Sequence, residues 1–163
     1  FTDTDGSMID VFQSSTMMTD ESGQSYPFTP DTLLDRALGS QGYYGAFPAN
    51  LHTDNQTTFE DTQVLASAQS RGVPVVSSKQ MLTWLDGRNA SSFSNISYSG
   101  NTMSFTVNVG AGANQLTSML PTSGPGGRTL TTITRGGTAG PITLMTVKGQ
   151  QYAMFAAASG VSI

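Results

Sequence analysis

The chain of 163 residues contains no cysteine, only one histidine and few charges. The absence of cysteine excludes disulfides, cysteine-ligated zinc and thiol catalysis. No apolar run reaches the 18 residues expected of a membrane-spanning helix, so no membrane span is predicted. Charged residues make up 11% of the chain, and this polar but weakly charged composition favours a secreted bacterial protein. The sequence starts at Phe1 without an initiator methionine or a signal peptide, so we expect a piece of a longer polypeptide.

Acidic residues are missing from the second part of the chain. Residues 1–88 hold four basic and eleven acidic residues, a formal charge of −7, whereas residues 89–163 hold only three basic residues, a charge of +3. This change predicts a domain boundary, with residues 1–88 and 89–163 as the two domains. A charge of +3 without a cluster of Lys and Arg is too small for a nucleic-acid surface, so no nucleic-acid partner is expected.

The only histidine follows an apolar, aromatic run that predicts a buried strand from Tyr43 to Leu51. A polar loop, a helix from Phe59 to Ser70 and a second strand from Val73 to Val76 come next. This order is that of a β-α-β unit, from which parallel sheets are built. Because chemistry collects at the carboxyl ends of the strands in such sheets, His52 and Asp54 fall where a site is expected.

Three further elements are predicted in the first part of the chain. The apolar pattern predicts a strand over Ser7–Gln13. A helix is expected from Pro30, with Thr29 as its N-cap and Gly39 just after its end. A last helix is expected after an N-cap at position 77 or 78, both of which are serines.

From Phe93 onward the apolar period changes to two. The residues that alternate with polar neighbours, and that predict the inner face of a half-buried strand, are Met103, Phe105, Val107 and Val109. Further short strands, separated by glycine-rich turns, are predicted over 115–120, 129–134, 142–147 and 152–157. Six or seven strands at this spacing predict a small antiparallel sandwich of immunoglobulin-like shape. Residues 90–163 contain no His, Asp, Glu or Cys, so we expect no catalytic group there.

The segment from Gly42 to Trp84 resembles the C-terminal end of the polysaccharide deacetylase (NodB-like) family. In that family an apolar strand ends in Leu-His, often followed by Asp, and a helix, a short strand and a final helix come after it. Here the matching segments are Asn50-Leu51-His52-Thr53-Asp54, the helix from Phe59, Arg71 to Val76, and Ser77 to Leu85. Thr53 stands between the histidine and the aspartate, where the family has no insertion.

The resemblance implies an α/β part followed by an all-β part. Residues 1–88 would be the C-terminal portion of the family's irregular, incomplete β/α barrel, and residues 89–163 an appended β-sandwich. The implied reaction is hydrolysis of an N-acetyl group on a carbohydrate, with His52 as the acid that protonates the leaving amine and Asp54 beside it in the site.

The resemblance also implies components that this chain does not carry. In the family a divalent metal such as zinc and a carboxylate base depend on an aspartate pair and a His-x-x-x-His pair from earlier motifs. This chain has neither motif, so we expect no metal in it, no activity by itself, and the upstream part of the same polypeptide as its partner.

Two functions stay open from the sequence. One is a fragment of a secreted bacterial carbohydrate deacetylase-like hydrolase. The other is a non-catalytic module of a larger extracellular protein that binds polysaccharide or packs against neighbouring domains, in which His52 makes only a structural hydrogen bond. The aromatic residues near the histidine are able to stack on sugars, but their strand and helix positions favour core packing instead; they are Tyr43, Tyr44, Phe47 and Trp84.

Overall fold

The computed structural model describes residues 1–42, 45–54, 59–159 and, for the backbone alone, 161–162. Within these ranges the chain is a mixture of helices and small sheets, without a closed barrel. None of the helices in the described ranges is long and apolar enough to cross a membrane. Contacts divide the chain into two compact units, Phe1–Val76 and Ser77–Ile163.

The helices are α1 (Phe28–Leu38), α2 (Phe59–Ser70) and α3 (Ser78–Asn89). The strands are β1 (Met18–Thr19), β2 (Ala49–Asn50), β3 (Ser92–Ser99), β4 (Thr102–Asn108), β5 (Thr117–Pro121), β6 (Thr134–Arg135), β7 (Thr138–Ala139), β8 (Thr143–Val147), β9 (Gln150–Ala156) and β10 (Val161–Ser162). Strands β1 and β2 pair in parallel, and all other pairs are antiparallel, in the orders β10-β4-β3, β5-β9-β8 and β6-β7.

The first unit is built on the contact between α1 and α2 and on the parallel pair β1–β2. Leu34 of α1 and Ala68 of α2 are buried. Just after α2, Arg71 forms ion pairs with Asp31 and Asp35 of α1, at N–O distances of 2.7 Å and 2.6 Å. Polar pairs therefore supplement a small apolar core in this unit.

The predicted elements around His52 are confirmed in part. The helix Phe59–Ser70 has the predicted bounds, and a strand does precede the histidine, although it covers only Ala49–Asn50. Tyr43 and Tyr44 of the predicted strand, and the predicted loop over 55–58, lie outside the described residues.

Two predicted strands in this unit are wrong. Ser7–Gln13 is irregular apart from an isolated bridge between Met8 and Thr2, and Val73–Val76 has no strand structure. An apolar run becomes a strand only when a neighbouring strand accepts and donates its backbone hydrogen bonds. Apart from the single bridge to Thr2, the described residues offer no strand beside either run, and Pro74 lacks the N–H that a ladder needs.

Of the two predicted helix N-caps, that of α3 is confirmed and that of α1 is wrong. In α3 the backbone N–H of Gln80 donates to Ser77 Oγ at 3.3 Å, and the N–H of Ser77 donates to Gln80 Oε1 at 2.8 Å, which confirms the N-cap as a capping box. The predicted N-cap at Thr29 is wrong, because α1 begins at Phe28 and the Thr29 N–H already donates to the Ser25 carbonyl.

The second unit has a core shared by its two three-stranded sheets. The buried cluster consists of Phe105, Val107, Ile133, Ala153 and Phe155. Phe105 and Val107 confirm the predicted inner face of β4, whereas Met103 at the start of that strand is exposed. The strand predicted over 129–134 is wrong, because the turn at Gly136-Gly137, both with positive φ, pairs Thr134–Arg135 with Thr138–Ala139 instead.

The boundary between the units differs in place from the predicted one at residues 88 and 89. The units divide between Val76 and Ser77, so α3 belongs with the all-β part. A Cβ added to Gly87 of α3 would lie 2.4 Å from the carbonyl oxygen of Ala111, and Trp84 Nε1 donates to the carbonyl of Asn114 at 3.1 Å. This close packing joins the helix to the loop after β4.

Candidate functional site

The parallel pair β1–β2 brings the only histidine to an aspartate from another part of the sequence. Met18 lies opposite Ala49 and Thr19 lies opposite Asn50. Asp20 follows β1 directly, and the histidine at position 52 is the second residue after β2. Because the two strands run in the same direction, both residues lie at the same, carboxyl, edge of the pair.

The carboxylate of Asp20 binds His52 in two places. Asp20 Oδ1 lies 2.9 Å from His52 Nδ1, and Asp20 Oδ2 accepts the backbone N–H of His52 at 3.1 Å. An ionised carboxylate only accepts, so the Nδ1 atom carries the proton of this hydrogen bond. The Asp20 side chain is 14% exposed and that of His52 is 49% exposed. The ring is therefore held at its inner nitrogen and open to solvent over about half of its surface.

The loop that carries Asp20 is folded back onto β1. The Thr19 N–H donates to Gln24 Oε1 at 3.2 Å, and Gln24 Nε2 donates to the Met17 carbonyl at 2.8 Å. The Tyr26 hydroxyl donates to the Thr19 carbonyl at 3.1 Å, and Thr19 Oγ1 donates to Asp20 Oδ1 at 3.3 Å. These bonds fix the chain on both sides of Asp20 and so fix its carboxylate.

The charges of the site favour the protonated ring. The hydrogen bond that His52 donates to Asp20, followed by the charges of Asp20, Glu21 and Asp54, raises the pKa of His52 above its ordinary value of 6.5. The same hydrogen bonds to the ring and backbone of His52 lower the pKa of Asp20 below its ordinary value of 3.8. The pair therefore favours an imidazolium beside a carboxylate, as expected for opposite charges in contact.

The two predicted site residues, His52 and Asp54, have different places in the site. His52 lies two residues after β2 with its ring accessible, as the preceding apolar run predicted, although the second strand of the predicted β-α-β unit does not form. Asp54 is exposed and acts on the ring through its charge, whereas the ring N–H donates its hydrogen bond to Asp20. The catalytic role of either residue stays a prediction.

Asp20 is the residue that sequence reasoning missed, because the polar stretch over positions 19–26 has no apolar period from which an element is predicted. A signal does exist in the sequence: Asp20 follows the apolar pair Met17-Met18 and Thr19, much as His52 follows a short apolar strand. A two-residue strand is too short for periodicity to identify, so the signal becomes visible only beside its partner.

The residues of this chain do not fit the divalent metal that the family resemblance implies. The described residues contain no group of three or more His, Cys, Asp or Glu side chains arranged to hold a metal ion. The Nδ1 atom of His52 is also already engaged by Asp20. Comparison of the chain with protein-family models, with curated proteins and with solved structures finds no match, so the geometry of the His52–Asp20 pair carries the functional argument.

Proposed function

We propose that this chain supplies the proton-donating half of a secreted bacterial carbohydrate deacetylase-like hydrolase. The observation that supports the proposal is the His52–Asp20 pair at the carboxyl edge of two parallel strands. A carboxylate bound to Nδ1 fixes the tautomer of a histidine and stabilises its protonated form. The proton available for chemistry is then the one on Nε2, at the outer side of the ring.

Hydrolysis of an N-acetyl group needs this kind of donor. As the C–N bond of the tetrahedral intermediate breaks, its electron pair stays on the nitrogen, which takes the proton from Nε2 of His52. The histidine is left neutral, with its remaining proton on Nδ1 in the hydrogen bond to Asp20. The raised pKa of His52 keeps more of the ring in the donating form near neutral pH. The attack on the carbonyl belongs to groups that this chain does not supply.

Exposed apolar residues in the first unit support a partner from the same polypeptide. Phe1, Met8, Ile9, Val11 and Phe12 are all exposed, Met8 by 77%. The same residues line one open cavity, and an exposed apolar patch of this kind marks an interaction surface. Under the proposal, residues 1–76 are the C-terminal portion of an irregular β/α barrel whose upstream part covers this patch, and the second unit is an appended immunoglobulin-like sandwich.

The experiment is a His52→Ala substitution in the full-length polypeptide, assayed on N-acetylated oligosaccharides. Loss of a general acid lowers turnover roughly 10²–10⁴-fold, and we expect that loss with nearly unchanged folding because the ring is half exposed. Thr53→Ala is the matched control, since it alters the exposed neighbour and leaves the ring in place. Unaltered turnover in His52→Ala would remove the catalytic role, and the 163-residue chain by itself should show no deacetylation.

A second candidate, a non-catalytic glycan-binding module, is favoured by an aromatic surface in the second unit. The Tyr98 side chain is 57% exposed, and the guanidinium of Arg128 lies 5.4 Å from its ring centroid and bonds its hydroxyl. Exposed aromatic rings with a polar handle are enriched at binding surfaces. This module would bind polysaccharide without His52.

Calorimetric titration of the chain with polysaccharide separates the two functions. For the binding module, Tyr98→Ala should abolish measurable heat, and His52→Ala should leave it unchanged. Ile96→Ala, at an exposed position of the same strand, is the matched control. Binding that survives Tyr98→Ala would rule out this surface.

A further inference from the structure

The His52 ring lies between two carboxylates that neighbour each other in the sequence. Asp20 binds the inner nitrogen, as described above, and Glu21 Oε1 lies 3.8 Å from the outer nitrogen, Nε2. The second distance is too long for a direct hydrogen bond and short enough for an ion pair. Each ring nitrogen therefore faces its own carboxylate.

The two carboxylates are held very differently. Asp20 accepts hydrogen bonds from the ring, the backbone of His52 and the Thr19 hydroxyl. Glu21 is tied down through its backbone N–H, which donates to Thr19 Oγ1 at 3.3 Å, while its side chain is 74% exposed. Asp20 is fixed for as long as the loop is folded, but the Glu21 carboxylate is free to leave the ring.

We infer that Glu21 is a positioning residue for His52, which occupies the Nε2 side of the ring in the absence of substrate and yields that side to the substrate. The inference rests on the proposed function. A carboxylate near Nε2 attracts the proton that the acid must later donate, and it keeps the ring from rotating away from Asp20. An incoming amide nitrogen needs the same position, because it must reach the same proton.

The other charged groups around the ring do not duplicate this arrangement. Asp54 acts on His52 only as the weakest of the three carboxylate charges. Burial, together with the charges of Glu60 and Asp20, raises the pKa of Tyr26, and neither Glu60 nor Tyr26 is among the groups that shift the pKa of His52. Asp54 is therefore the matched control for Glu21, since both are exposed carboxylates near the same ring.

The single histidine makes the test direct, because every imidazole signal in an NMR spectrum of the 163-residue chain belongs to His52. Titration of ¹⁵N-labelled chain reports both the proton affinity of the ring and its tautomer. We expect Glu21→Gln to lower the proton affinity roughly twofold, the usual size for an exposed ion pair, with the Nδ1–H tautomer retained. Glu21→Asp should give an intermediate value and Asp54→Asn a smaller change than Glu21→Gln.

Titration at high salt and the pH profile of turnover complete the test. Roughly 1 M salt, where the Debye length is about 3 Å, should remove the difference between wild type and Glu21→Gln. In the full-length polypeptide, Glu21→Gln should move the alkaline limb of the kcat/KM profile to lower pH by the amount that the titration gives. An unmoved limb, or a proton affinity that changes no more than in Asp54→Asn, would overturn the inference.

The titration and the turnover assay test different claims, so a negative result in one does not decide the other. The titration needs no catalysis, so it measures the ion pair whether or not the proposed function holds. Unaltered turnover in His52→Ala would defeat the proposed function and, with it, the displacement of Glu21 by substrate. A Glu21→Gln titration identical to that of wild type would defeat the role of Glu21 and leave His52 as an acid oriented by Asp20.

Discussion

The two units of the chain differ in the size of their buried apolar cores, although both expose large apolar side chains. The second unit encloses a cluster drawn from both of its three-stranded sheets, with Phe105 and Phe155 almost fully buried. The first unit buries Met18 and Leu34 but exposes the large residues of its first twelve positions. Its contacts include ion pairs between Arg71 and α1 and the bonds between Asp20 and His52.

This difference indicates that the units have different sources of stability. Burial of apolar area is the dominant favourable term in folding, at roughly 25 cal/mol per Å². The second unit satisfies that requirement with its own sheets. The first unit has a small apolar core supplemented by polar pairs, and under the proposal more polypeptide would cover its exposed apolar residues.

The largest expected effect comes from removing a ring from the core of the second unit. Phe155 is 6% exposed within the buried cluster, and a buried Phe→Ala change costs about 3–5 kcal/mol through lost burial and the cavity left behind. Phe155→Ala should therefore shift the urea unfolding of this unit to much lower concentrations. The fluorescence of Trp84, the only tryptophan and part of α3, reports this transition.

Phe12→Ala is the matched variant in the first unit. Phe12 is 44% exposed, and substitutions at exposed positions usually change stability by less than about 0.5 kcal/mol. We expect little change in unfolding from it. Equal losses in the free energy of unfolding from Phe12→Ala and Phe155→Ala would show that the first unit also relies on a core of its own. The proposed difference between the units would then be wrong.

The sequence predicts elements best where one local rule decides the structure. The bounds of α2 and the N-cap of α3 were predictable, because periodicity and a capping box act within a few residues. Strict alternation predicted the inner-face positions of Phe105 and Val107 in β4, but it also placed there Met103, which is exposed. The strand over Ser7–Gln13 failed because an apolar run does not reveal whether another strand lies beside it.

The site shows the same limit on a smaller scale. The place of His52 after a strand could be predicted from the apolar run before it, although the predicted β-α-β unit does not form because Val73–Val76 is not a strand. The pairing of His52 with Asp20 could not be predicted, because the two residues are 32 positions apart and the strands that align them have two residues each. The role of α3 was missed for a similar reason, since the close approach of Gly87 to Ala111 is a tertiary contact.

The smallest expected effect is a pH dependence of stability, which should differ between the two units because their titrating groups differ. The folded pKa of His52 is raised above 6.5, so its contribution to stability is complete below pH 6.5 and is lost as the pH rises through the raised value. The folded pKa of Asp20 is lowered below 3.8, so its contribution is complete above pH 3.8 and is lost as the pH falls through the lowered value. The pair therefore stabilises the first unit most between these two ordinary values, 3.8 and 6.5.

The second unit has no histidine and only one acidic side chain, Asp86, so its stability should change little over the range where the imidazole titrates. We would measure urea unfolding from about pH 5.5 to about pH 8.5. The NMR signals of His52 report unfolding of the first unit and Trp84 fluorescence reports unfolding of the second, so the two urea midpoints are compared in one sample. The first midpoint should fall with rising pH and the second should stay constant. Asp20→Asn should flatten the first slope, because the amide does not favour the imidazolium. A Trp84 midpoint that falls as steeply, or a slope that survives Asp20→Asn, would show that the pH dependence arises outside the His52–Asp20 pair.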